Sequence, residues 1–180
     1  MSITTEESIR TETLLVVAKK MLLAARTAPK ARGIDNLEIA FAESQSIEMI
    51  SQKMKELGTE LGLPGFLRDA ENILQSTVMI LIGTRIKTAG LKLCGHCGFK
   101  NCDDKEKHPD VPCSFNTGDL GIAIGSAVGV AMDHRVDNRV MYSVGHAVRE
   151  LGLMGKEVKI VYGIPLSASA KNPFFDREKK

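Results

Sequence analysis

Between residues 90 and 116 the chain loses all hydrophobic periodicity, and this stretch holds all four of its cysteines: Cys94, Cys97, Cys102 and Cys113. The stretch is rich in Gly, Lys, Asp and Pro, and its centre, DDKEKHPDVP, reads as a solvated loop. Two strong folding signals bracket it. TVMILIGTR (77–85) is an unbroken apolar run of buried-strand type, and TGDLGIAIGSAVGVAMD is a helix despite its glycines. Residues 90–116 therefore read as a four-cysteine insertion in a single domain, 1–180.

The remaining elements follow from periodicity. TEESIRTETLLVVAKKMLLAARTA (5–28) is a long helix with Leu14, Val17, Ala18, Met21 and Leu22 on one face. Thr4 or Thr5 caps it, Glu6 and Glu7 suit its positive end, and Pro29 and Gly33 end it. NLEIAFA (36–42) alternates as a strand. SQSIEMISQKMKELGTELG is a second helix, stopped by Gly62 and Pro64, and a short helix covers Gly65 to Leu74. DNRVMYSVGHAVRELGLM (137–154) reads as a helix with Asp137 as N-cap and Gly152 near its end, EVKIVYGIPL (157–166) as the last strand, and the tail ASAKNPFFDREKK as polar and irregular. The expected class is α/β (α+β): a sheet of at least three strands flanked by helices.

The cysteine spacing is C-x2-C-x4-C-x10-C. A C-x2-C pair lets two thiolates converge on one metal or one cluster edge, and Gly95 and Gly98 allow the tight turn this needs. Structural zinc usually takes two such knuckles, and Cys102 and Cys113 form none. A cubane cluster binds one thiolate per corner and suits uneven spacing better. A histidine ligand, His96 or His108, a structural zinc site and a reversibly oxidised thiol set remain as alternatives.

Composition excludes other classes. The net charge of +2 is spread along the chain, aromatics are 4% and there is no Trp, which argues against nucleic-acid binding. The N-terminus has no basic stretch followed by an apolar core. The apolar runs at 78–83 and 120–132 fall short of the roughly 20 residues of a membrane helix. No membrane insertion and a cytoplasmic location are expected, and clustered cysteines there point to metal or redox chemistry rather than disulfides. There is no P-loop, no G-x-G-x-x-G after a strand and no H-E-x-x-H.

C-G-x-C-G-x-x-x-C followed by a lone Cys, here Cys94 to Cys102 and then Cys113, resembles the four-cysteine [4Fe–4S] module of the B subunit of Rnf-type complexes and of the corrinoid iron–sulfur protein. The interval to Cys113 is shorter than in those modules. DHRVDNRVMYSVGHA (133–147) and IPLSASAKNPFFDR (164–177) resemble the signature of a family of small ferredoxin-domain proteins from anaerobic bacteria and archaea. These resemblances imply a [4Fe–4S] cluster on Cys94, Cys97, Cys102 and Cys113, and a redox partner protein.

The scaffold resembles flavin-dependent nitroreductases in AARTAPKARGIDNLEIAFA (24–42), in GDLGIAIGSAVGVAMDHRVDNR and in ELGLMGKEVKIVYGIPL. That implies a nitroreductase-like sheet and FMN, with Arg26, Lys30 and Arg32 as cations for a flavin or other anionic phosphate. The family's A-P-S-x-x-N is here Ala28-Pro29-Lys30-Ala31-Arg32-Gly33, without the Ser and the Asn, and MSITTEESIR lacks its arginine motif. Read on their own, the three cations stabilise a helix C-terminus. Finally, Gly121, Gly125 and Gly129 make a stripe at i, i+4, i+8. It is expected to serve close packing, within the monomer, at a homodimer interface or against a cofactor ring.

Overall fold

A computed structural model describes residues 3–175. Helix α1 (Glu6–Thr27) leads through a 3₁₀ turn (Ala31–Gly33) to strand β1 (Leu37–Glu43). Helices α2 (Ser44–Glu60) and α3 (Pro64–Ile73) precede β2 (Val78–Arg85). After the cysteine segment and its short helix α4 (Cys102–Glu106) come α5 (Ser114–Asp133), β3 (Asp137–Asn138), α6 (Tyr142–Glu150) and β4 (Val158–Ser167). The sheet runs β1-β2-β4-β3, with every pairing antiparallel.

Strand β2 shows why its sequence is apolar without alternation. Side chains alternate between the two faces of a strand, and here both faces are covered. Val78, Ile80 and Ile82 join Leu14, Val17, Met21, Leu120, Ala123 and Ala127 under α1 and α5. Met79 and Leu81 join Ile47, Ile50, Met54, Val144 and Val148 under α2, α3 and α6. The result is a three-layer helix–sheet–helix stack. In α1 the expected apolar face is the buried one, with Ala25 added and Leu22 partly covered. Thr5 is the N-cap, though its side chain makes no capping bond.

The segment 137–154 is not one helix. Asp137 and Asn138 pair with Ser167 and Leu166 as a strand, and Met141 and Gly163 exchange backbone hydrogen bonds of 2.8 and 3.0 Å, so the helix begins only at Tyr142. Asp137 accepts from Asn172 Nδ2 instead of capping a helix. The tail, expected to be polar and irregular, buries Phe174 fully. Arg139 holds it there, donating to the Phe174 carbonyl at 3.1 Å and lying over the Phe175 ring at 5.3 Å. The signature stretches 133–147 and 164–177 thus form one docked unit in their described part; residues 176 and 177 lie outside the described residues.

Arg139 also belongs to a buried carboxylate network. Asp69 on α3, 5% exposed, accepts from Ser143 Oγ at 2.7 Å and from Arg68 at 2.7 and 2.9 Å, with Arg139 at 3.5 Å. Asp69→Ala removes the anion and leaves Arg139 and Ser143 without it. A loss of about 3 kcal/mol is expected, the scale for breaking a buried pair from one side. Asp69→Asn, which keeps an acceptor for Ser143, loses less. Urea midpoints of the two variants check the order.

The glycine stripe of α5 is not used for packing inside the monomer. Ala123, Ala127 and Ala131 face α1 and the sheet, whereas a Cβ added at Gly118, Gly121, Gly125 or Gly129 would meet nothing within 4 Å.

Candidate metal centre

The cysteine segment leaves the end of β2 and returns at the start of α5. Its neck is tied: the Lys87 N–H donates to Asn116 Oδ1 at 2.7 Å, and Asn116 is buried. Arg32 donates to the carbonyls of Ala89 and Gly90 at 2.9 and 3.2 Å. Thr88 donates to the Glu106 carboxylate on α4.

Cys94 and Cys97 flank a tight turn in which the Gly98 N–H donates to the Gly95 carbonyl at 2.9 Å. Gly98 has φ +86°, a backbone state that favours glycine. Two ring contacts fold this turn over the rest. His96 packs on Phe115 at 5.9 Å, and Phe99 stacks on His108 at 5.0 Å and 23°. Residues flanking Cys97 therefore touch residues just past Cys113 and just past α4. Both loop histidines are engaged with phenylalanine rings.

Cys102 is the first residue of α4, whose N-cap Asn101 accepts from the Asp104 N–H at 2.9 Å. Cys113 is the N-cap of the 20-residue α5 and is 3% exposed, with its carbonyl accepting from the N–H groups of Asn116 and Thr117. Cys94, Cys97 and Cys102 are half-buried, and all four cysteines are free thiols. Among the described residues no three His, Cys, Asp or Glu side chains are placed to hold a metal ion. A mononuclear site would require the thiols to draw together.

As a donor set the four thiols fit a polynuclear cluster, which takes one thiolate per corner. The centre of the segment is exposed over residues 106–112, as expected from its charges, but it is not a loop throughout. Residues 102–106 form α4, and Lys105 is buried, at 2% exposure. The sequence signal for this was the i, i+3 spacing of Cys102 and Lys105, which puts both on one helix face.

The three cations expected at an anionic phosphate lie at the end of α1. Lys30 Nζ donates to the carbonyls of Ala25, Arg26 and Ala28 at 3.0, 2.6 and 2.7 Å, closing the helix C-terminus. Arg26 pairs with Asp35 at 2.5 Å and reaches the Leu37 carbonyl at 3.2 Å. Arg32, at φ +58°, faces the neck of the cysteine segment. Each of the three is thus engaged by the chain's own carbonyls or by Asp35, and the Ser and Asn of the flavoprotein motif are absent from the sequence.

Asp35 carries a pH consequence. Burial raises the pKa of its carboxyl, but the Arg26 hydrogen bond, the Leu37 N–H and the charges of Arg26 and Lys30 outweigh that and hold it below the ordinary carboxylate value. A lowered folded pKa contributes stability that is complete above the unfolded value of about 3.9 and is lost as pH falls through the folded value. Asp35→Asn is therefore expected to be less stable than wild type at neutral pH. The gap should close in that acid window, as read by urea unfolding at a series of pH values.

No helix among the described residues is long and apolar enough to cross a membrane. The fold is similar to that of solved flavoproteins. An oxidoreductase containing FMN matches 87% of this chain and 67% of its own at 15% identity and TM-score 0.58. A nitroreductase with bound FMN from Desulfitobacterium hafniense matches 94% of this chain and 81% of its own at 14% identity and TM-score 0.58. At that identity the likeness is one of fold. An uncharacterized protein of Archaeoglobus fulgidus is 39% identical over 183 residues, spanning 97% of both chains. The family model described as an uncharacterized protein containing a ferredoxin domain matches residues 109–177, which include Cys113 and the Arg139 unit. The chain belongs to this ferredoxin-domain family and carries its cysteine segment on a nitroreductase-like sheet flanked by helices.

Proposed function

We propose that this protein is an electron-transfer protein that holds a [4Fe–4S] cluster on Cys94, Cys97, Cys102 and Cys113 and exchanges single electrons with a redox partner protein. The observation that carries the reading is four free thiols gathered in one segment, 90–116, inserted between β2 and α5 and closed by ring contacts that use both of its histidines. When bound, such a cluster supplies one-electron chemistry. The chain's own part is to orient the thiols through the Gly95–Gly98 turn and the start of α5, and to fix the segment to the sheet through Asn116 and Arg32.

The fold of FMN-containing oxidoreductases extends the reading to a small flavin-linked reductase. The cations at the end of α1 do not favour it, since their acceptors are the chain's own carbonyls and Asp35. The open glycine face of α5 favours a homodimer built across it.

The test is iron, acid-labile sulfide, zinc and flavin per chain, measured on protein purified without oxygen. About four irons and four sulfides, with broad visible absorption that bleaches on reduction, are expected. One zinc without sulfide would replace this reading with a structural zinc site used for partner binding.

A further inference from the structure

Strand β4 keeps one edge open over its first half. Strand β3 pairs only with Leu166 and Ser167, and Met141 exchanges hydrogen bonds with Gly163, so residues 158–162 have no strand on that side. Helix α6 covers the edge instead. Gly145 brings it so close that an added Cβ would lie 1.7 Å from the Val161 carbonyl oxygen. The backbone groups of a strand alternate between its two sides. The Val161 N–H, two residues before Gly163, therefore points to the open side and has no strand partner. A further strand cannot add where the helix already lies.

Beside this contact lies a cavity of about 240 Å³ between α6 and the edge. Tyr142, His146 and Arg149 enter it from one face of α6, and Lys159 and Tyr162 enter it from β4. No Asp or Glu lines it, although Glu150 and Glu157 lie close in sequence. Arg149 and Lys159 reach solvent, and neither has a hydrogen-bond or ion-pair partner among the described residues. By contrast Arg10, Lys55 and Arg85 each hold a carboxylate. A cleft walled by one sign of charge focuses the field and draws in counter-ions. Beside the cations stands an aromatic wall. The Tyr142 ring meets the rings of Phe66 and His146 edge-on, at 5.7 and 5.9 Å.

We propose that this cavity binds a small phosphate-bearing ligand with one planar ring. Arg149, Lys159 and the Val161 N–H take the phosphate, and Tyr142 and His146 flank the ring. The guanidinium of Arg149 offers a planar fork that matches phosphate oxygens, and Lys159 adds a point charge. The volume is below the roughly 300 Å³ at which pockets for drug-sized ligands begin. It holds one ring and one phosphate, not a dinucleotide. None of the wall residues belongs to residues 90–116, so the site stands whatever the cysteines hold.

The experiment is calorimetric titration of the full chain, purified without oxygen, with phenyl phosphate and with inorganic phosphate at low ionic strength. Wild type is expected to bind one phenyl phosphate per chain, and to bind it more tightly than inorganic phosphate. Arg149→Gln should weaken phenyl phosphate at least about tenfold, the scale of a lost hydrogen bond between charged groups, and Lys159→Gln should act in the same direction. Tyr142→Ala should weaken phenyl phosphate and leave inorganic phosphate unchanged. Lys19→Gln removes an exposed lysine of α1 outside the wall and should change neither. All four substitutions fall on exposed side chains, so folding is not at stake. Wild type that does not bind phenyl phosphate would overturn the inference. Phenyl phosphate held no tighter than inorganic phosphate would mean an adventitious ion only and would overturn it too. So would equal weakening by Lys19→Gln and Arg149→Gln, which is the mark of diffuse surface attraction.

Discussion

Gly145→Ala lowers stability by at least about 3 kcal/mol, the upper end of what overpacking usually does, or prevents folding. A Cβ at this position would lie 1.7 Å from the Val161 carbonyl oxygen, 2.5 Å from its carbon and 3.3 Å from the Tyr162 nitrogen. These are backbone atoms, so no rotamer change makes room. Strand β4 cannot give way, because it is held in register by β2 on one side and by β3 and Met141 on the other. Helix α6 cannot lift either without unseating Val144 and Val148, which are fully buried against the sheet. The contact is reciprocal, since a Cβ on Gly163 of β4 would lie 2.2 Å from Val144 Cγ1.

Gly121→Ala is the control, on a helix and in open space. It should gain about 0.8–1.0 kcal/mol from helix propensity, less whatever it takes from a dimer formed across that face, which sedimentation would read. Denaturant unfolding of both variants checks the pair. A Gly145→Ala protein within about 1 kcal/mol of wild type, well under the overpacking range, would show that α6 does not sit this close to β4.

The second large effect is on the metal centre. Cys97→Ser and Cys113→Ala are each expected to abolish stoichiometric iron and sulfide while leaving the fold in place. Cys113 is a small buried side chain without a capping bond, so its truncation should alter apoprotein stability by only about 1 kcal/mol, in the range of small core deletions. Cys97 is half-buried in a segment outside both hydrophobic clusters. His96→Ala and His108→Ala should keep full iron, because those rings serve the contacts to Phe115 and Phe99. Iron analysis on all four variants decides the ligand set. Retention of iron by the Cys113 variant together with its loss from a histidine variant would assign a mixed set instead.

What could be read from the sequence divides by the range of the interaction. Helices α1, α2, α3 and α5 and strands β1, β2 and β4 lie within three residues of their expected ends at almost every terminus. Each has its own apolar rhythm and its own stop signals, as with Pro64 opening α3. Residues 137–141 misled because their state is decided from far away in sequence. Asp137 and Asn138 are ordinary helix-start residues until Ser167 and Leu166 arrive to pair with them. Phe174 was hidden in a polar tail because its burial depends on Arg139, 35 residues earlier.

The glycines of α5 announced a need for space, but not whether that space lies inside or outside the monomer. At the candidate site, the four cysteines proposed as ligands were legible from spacing. The burial of Lys105 was not, because five flanking charges made the surrounding stretch look like surface.

The Lys87–Asn116 hydrogen bond joins residues 29 apart in sequence. It clamps the two ends of the cysteine segment where β2 and α5 enter the core. Because loop-closure entropy grows only slowly with loop length, a clamped neck lets the sheet assemble almost indifferently to what hangs from it. Amide exchange should then divide the molecule in two. Residues 88–113 would exchange through local opening when metal is absent and be protected when it is bound, while β2 and α5 exchange only through global unfolding in both states. A chain built this way would keep its fold through loss of the proposed cluster, which could then be refilled rather than resynthesised.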